Sequence, residues 1–142
     1  MRPYLDTSLV VSALVHEEAS DAVHDWLASR SGVRFAISDW VVAEFAAALS
    51  RKRALHEIST ALREEAQFQF DSLLDGEFDV LPVTREEFRV AASLAGRSLQ
   101  GLRAGDALHL AIAKTNTLML CTRDIKLAAA GIDLGCSMQL IG

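Results

Sequence analysis

The sequence predicts an α/β sandwich with a mainly parallel sheet and helices on both faces, formed by residues 1–142 as one domain. Three observations carry that expectation. Short strand-like runs alternate with helical patterns from one end of the chain to the other. The length of 142 residues suits one domain with a sizeable core. With 51% hydrophobic residues, 2 prolines and 8 glycines, there is apolar material for a core and little room for long loops.

Residues 2–5 are short and apolar at their end, a strand candidate. Residues 8–15 and 19–30 read as helices, the second with Ala22, Val23, Trp26 and Leu27 at helical spacing. Residues 35–38 are a second strand candidate, and 39–53 are helical. The first half of that helix is apolar almost all round, which predicts burial. Residues 58–74 place Leu62, Ala66, Phe70 and Leu73 on one face, and 78–83 read as a strand. Thr84 then opens a helix with Glu87 three positions on, a capping-box signature. That helix ends near Gly96, and residues 98–105 form a loop. Residues 106–114 are helical, 118–121 a strand, and 125–130 a short helix stopped by Gly131. Residues 138–141 are the last strand candidate.

Several classes of function fall away. No apolar stretch approaches the roughly 20 residues that span a bilayer, and Asp6 interrupts the start of the chain as no secretory leader would allow. A cytoplasmic location is expected. Cys121 and Cys136 form no CxxC pair, so neither a disulfide scaffold nor a zinc cluster is indicated. A net charge of −5 argues against coating nucleic acid by bulk attraction. It is compatible with an enzyme that meets phosphate through bound cations.

Most acidic residues, among them Glu17 and Glu87, read as solvated. Four do not. In an open parallel sheet, ligands gather beyond the carboxyl ends of the strands. Asp6 directly follows the first strand, and Asp124 follows the run ending at Cys121. Taken singly, each is better explained as a helix N-cap. Glu44 lies inside WVVAEFAAAL, where a buried carboxylate requires a cation or strong donors. A structural pair with Arg51 or Arg123 is the competing account. Asp106 sits in the first turn of a buried helix, where the dipole also favours an anion. Together, four converging carboxylates repel one another unless a cation neutralises them. An all-oxygen set selects Mg²⁺ or Mn²⁺, and such ions serve phosphodiester hydrolysis.

These residues also carry a likeness. YLDTSLVVSAL resembles the opening strand and acidic turn of PIN domains, and SDWVVAEFAAALSRK their second acidic motif. LRAGDALHLAIA resembles the third motif, and LCTRDIKLAAAGIDLG the closing Thr-x-Asp motif. The likeness covers essentially the whole chain, and its length is similar to VapC-type toxins. It implies the PIN-like three-layer sandwich and an endoribonuclease using Mg²⁺ or Mn²⁺. It further implies the toxin of a toxin–antitoxin pair, a homodimer held by an antitoxin whose arginine enters the acidic pocket. A PIN-like binding module without turnover is the alternative.

The likeness makes Asp6, Asp106 and Asp124 expected metal ligands, with Glu44 binding metal directly or through water. Thr7, Ser8 and Thr122 are candidates to donate hydrogen bonds to these acids. Arg97, Arg103 and Arg123 are candidate phosphate contacts; Arg51, Lys52 and Arg53 read first as a charged, solvated helix end and only second as phosphate contacts. His109, one turn after Asp106, reads as a packed histidine or one that supports the acids from behind, not as a ligand, and Asp39 as a helix cap. Trp26 and Trp40 read as core or dimer contacts.

Overall fold

The computed structural model describes residues 1–142. Five strands, β1 (Pro3–Leu5), β2 (Phe35–Ser38), β3 (Phe78–Leu81), β4 (Met119–Thr122) and β5 (Met138–Leu140), form one sheet in the order β3-β2-β1-β4-β5. Every pairing is parallel, with Tyr4 opposite Ala36 on one side and Leu120 on the other. Seven helices join them: α1 (Thr7–Leu14), α2 (Ser20–Ala28), α3 (Asp39–Ala54), α4 (Thr60–Leu74), α5 (Arg85–Arg97), α6 (Ala104–Thr115) and α7 (Ile125–Asp133). Successive residues of a strand face opposite sides of the sheet. All three residues of β1 are buried, as are Ala36, Ile37 and Ser38 of β2, so helices cover both faces of the sheet centre.

The strand order reverses at β1. The chain runs outward through β2 and β3, then returns to lay β4 and β5 on the other side. Such a switch point opens a crevice beyond the strand carboxyl ends. Asp6 leaves β1 and Asp124 leaves β4 at that crevice.

The core is one apolar cluster centred on Tyr4, Leu9, Ile37, Phe45, Phe70, Leu110 and Leu120. The rings of Phe45 and Phe70 stack at 4.3 Å, and Phe78 adds a third ring 6.4 Å from Phe70. Helix α6 is buried without a break from Ala107 to Ala113, as its sequence requires. Thr84 and Glu87 form the expected capping box on α5.

Four readings of the sequence need correction. Helix α3 is not buried all round: Ala43, Ala46 and Ala47 face solvent, because alanine is apolar yet small enough to be exposed at little cost. Gly131 does not stop α7, which runs on to Asp133. A Cβ at Gly131 would lie 2.4 Å from Met138 Sδ, so glycine lets β5 approach the helix, and the turn falls at Gly135 (φ 78°). Asp39 is exposed in the first turn of α3, and Ser38 caps the helix by accepting the Val41 N–H. Glu17 and Glu87 are not solvated. Glu17 pairs with Lys52 at 2.8 Å and Arg123 at 3.0 Å, and buried Glu87 accepts Thr115 and Asn116.

Candidate functional site

Asp6 is the N-cap of α1, as its place after a strand suggested, and it is almost wholly buried. Its Oδ1 accepts Ser8 Oγ at 2.6 Å and the Leu9 N–H at 3.2 Å, and its Oδ2 accepts the Thr122 hydroxyl. Asp124 caps α7 through Oδ1, which accepts the N–H groups of Lys126 and Leu127. Thr122 Oγ1 also accepts the Asp124 N–H at 3.0 Å, and Ser8 Oγ accepts the Arg123 N–H at 3.2 Å. Two hydroxyls therefore stitch the exits of β1 and β4 together.

Glu44 projects from the second turn of α3. Its Oε1 accepts Thr7 Oγ1 at 2.7 Å and faces His109 Nε2 at 2.5 Å. No arginine reaches it: Arg123 is bound to Glu17 and Ser12. Gly105, at the start of α6, lies against this residue. A Cβ there would sit 3.5 Å from Glu44 Oε2 and 3.4 Å from the Trp40 ring, and the Trp40 indole donates to the Gly105 carbonyl at 3.3 Å. The Trp40–Gly105 bond ties the start of α6, one residue before Asp106, to α3.

Asp106 makes no hydrogen bond to the protein, although the other three acids each accept at least two. Burial raises its carboxyl above the ordinary range. His109 pulls the other way, while Asp124, Glu44 and Asp6 push it higher still. Asp6 is raised by burial, against the pull of Ser8, Thr122 and His109. Glu44 moves oppositely: burial would raise it, but the hydrogen bond and charge of His109 and the bond from Thr7 outweigh that and lower it.

The four acids singled out from the sequence are thus brought to one region, and Thr7, Ser8 and Thr122 each donate to one of them. As the side chains stand, no three groups close on a common point at coordination distance. The region opens into a cleft of ≈ 620 Å³ lined by Asp106 and Asp124, with Arg103 and Lys126 on its walls. Neither cation is in an ion pair.

Sequence reasoning passed over Tyr4, Ser38, Gly105 and Lys126. Tyr4 Oη is 2.8 Å from Ser38 Oγ and 2.9 Å from His109 Nδ1. Two spacings carried the signal. Tyr4 precedes Asp6 by two strand positions, and His109 follows Asp106 by three helical ones, so each shares its acid's face.

Fold and site define the class: a parallel α/β protein with an acidic cleft at the switch point of its sheet. Sequence comparison makes this specific. The chain belongs to the PIN-domain family, whose model matches residues 4–132. No curated protein matches it. Among solved structures, it is similar to a chain of VapBC2 from Rickettsia felis bound to promoter DNA (TM-score 0.75, 20% identity, 100% of each chain). VapC20 from Mycobacterium tuberculosis, a sarcin–ricin loop cleaving toxin, aligns with TM-score 0.73 and 18% identity over 91% of this chain and 95% of that one. FitAcB from Neisseria gonorrhoeae aligns with TM-score 0.71 and 19% identity over 96% and 95%. No helix is long and apolar enough to cross a membrane.

Proposed function

We propose that this protein is a Mg²⁺- or Mn²⁺-dependent endoribonuclease, the toxin of a toxin–antitoxin pair, acting in the cytoplasm as a homodimer. The observation that carries the reading is Asp106, half-buried beside Asp124, Glu44 and Asp6, with no protein donor. Like charges held together in this way await a cation. The donors left over are all oxygens: both of Asp106, Glu44 Oε2 and Asp124 Oδ2. Asp6 Oδ2 accepts one donor and keeps a second lone pair. That set fits a hard divalent ion.

When bound, such an ion lowers the pKa of an attacking water and screens the charge of the in-line transition state. The chain's own residues do the rest. Ser8, Thr122 and the Leu9 N–H fix the Asp6 carboxylate, and Thr7 with His109 fixes Glu44. Arg103 and Lys126 grip the phosphates on either side of the scissile bond, which balances an otherwise acidic cleft. The solved relatives that are toxin–antitoxin complexes support a cognate antitoxin as partner. An arginine from it would pair bidentately with these carboxylates and compete with metal.

The decisive experiment is cleavage of a panel of structured RNAs with Mn²⁺, Mg²⁺ or EDTA, with the ends mapped. Metal-dependent cuts leaving 5′-phosphate ends are expected, abolished in folded Asp6→Ala and Asp106→Ala. Undiminished cleavage by either variant overturns the assignment.

A further inference from the structure

We propose that Ser38, Tyr4 and His109 form a buried positioning chain that locks one Glu44 oxygen inward and leaves the other free for the cleft. The role deepens the nuclease reading and rests on it. The links are Ser38 Oγ to Tyr4 Oη at 2.8 Å, Tyr4 Oη to His109 Nδ1 at 2.9 Å, and His109 Nε2 to Glu44 Oε1 at 2.5 Å. They join β2, β1, α6 and α3 through side chains alone. Tyr4 and Ser38 are fully buried and His109 is 2% exposed. Phenylalanine and leucine would fill the same space. Polar atoms in such a place are destabilising unless each finds a partner, and here each finds the next in line.

A carboxylate oxygen only accepts, so at the Glu44 end the proton of the link sits on His109 Nε2. The only partner at Nδ1 is the Tyr4 hydroxyl, and in the Tyr4–Ser38 pair either oxygen can donate. Burial raises the phenol far above its ordinary value, so it stays a neutral hydroxyl in the chain. Ser38 Oγ in turn accepts the Val41 N–H at 3.4 Å, in the first turn of the helix that carries Glu44. The chain therefore begins and ends on α3. Thr7 adds a second donor to the same Oε1. Oε2 receives none and faces Gly105. His109 is a positioning residue; it orders Glu44 and does not itself reach the cleft.

The test compares wild type with Tyr4→Phe, His109→Leu and His109→Gln, by Mn²⁺ calorimetry and RNA cleavage kinetics. Loss of an outer hydrogen-bond partner of a metal ligand costs about 10–100-fold in affinity or activity. Tyr4→Phe is expected to weaken Mn²⁺ binding and lower kcat by that order, with KM for RNA unchanged. His109→Leu should do at least as much. His109→Gln, whose amide can donate where Nε2 stands, should recover part of the loss. Wild-type Mn²⁺ affinity and kcat in Tyr4→Phe overturn the proposal, as does a glutamine variant no better than leucine. If wild type neither binds Mn²⁺ nor cuts RNA, the nuclease reading fails by itself. The chain is then still decided by imidazole ¹⁵N spectra of the metal-free protein: a proton on His109 Nε2 supports it, and a bare Nε2 overturns it.

Discussion

Thr122 stands beside Asp6 at the exits of two adjacent parallel strands and donates its hydroxyl to the carboxylate. The same oxygen accepts the Asp124 N–H. One side chain thus fixes an acid on each strand. Thr122→Val keeps the branched shape and removes both bonds. Leaving buried polar partners unpaired costs about 1–3 kcal/mol, so a loss of that size in urea unfolding is expected, together with most of the cleavage activity. Thr122→Ser should restore both. A valine variant as stable as wild type would show that this contact has no structural weight.

Asp106→Asn separates charge repulsion from fold. A carboxyl whose pKa is raised by folding is favoured in its protonated form, so keeping it ionised costs stability as pH rises through the folded value. Asp106 is raised, first by burial and then by its acidic neighbours. In metal-free buffer at neutral pH, Asp106→Asn is therefore expected to melt at or above wild type, with the advantage fading in acid. Added Mn²⁺ should reverse the order, since binding stabilises only the intact site, by about 2.7 kcal/mol at a hundredfold excess over Kd. A lower melting temperature for the metal-free variant would contradict the repulsion. Asp6→Asn is a poorer probe, because Ser8, Leu9 and Thr122 all donate to that carboxylate and an amide NH₂ cannot accept.

Glu17 carries the opposite sign. Burial raises it, but the hydrogen bonds of Lys52 and Ser12 and the charges of Lys52 and Arg123 outweigh this and lower it. A depressed carboxyl stabilises the fold above its unfolded pKa and loses that contribution as pH falls through the folded one. Glu17→Gln is expected to cost up to about 1 kcal/mol at neutral pH, the scale of an ion pair screened by solvent. In strong acid the two proteins should converge. Equal stability across the whole pH range would remove this network from the account.

Arg103 and Lys126 are testable by salt. In an Asp106→Asn background that binds RNA without cutting it, each alanine substitution should lower the slope of log K against log salt by about 0.7, the value for one phosphate contact on a single strand. Arg123→Ala should leave the slope unchanged, because its guanidinium is held by Glu17 and Ser12. The reverse pattern would move the RNA path off this cleft.

Most of the fold was legible because its signals are local. Strand-like runs, the Thr84–Glu87 box and the buried stripe of α6 depend on near neighbours in sequence. The four acids were legible because two follow strands and two interrupt apolar helices. What escaped depends on contacts distant in sequence. Nothing near Gly131 announces that Met138 will press against it, and nothing near Glu17 announces Lys52 and Arg123. The alanines of α3 misled because composition does not tell a small exposed side chain from a buried one. Tyr4 escaped because a strand tyrosine is ordinarily core; only its hydroxyl, meeting His109, gives it a further part.

Asp6 and Thr122 are separated by 116 positions, yet they must touch for the cleft to have two walls. A growing polypeptide offers Asp6 and Glu44 early, with β1 exposing the edge where β4 will dock. The wall bearing Asp124 is supplied only once β4 is laid against β1. In the nuclease reading proposed above, a chain that has not yet closed its sheet has half a site and cannot cut.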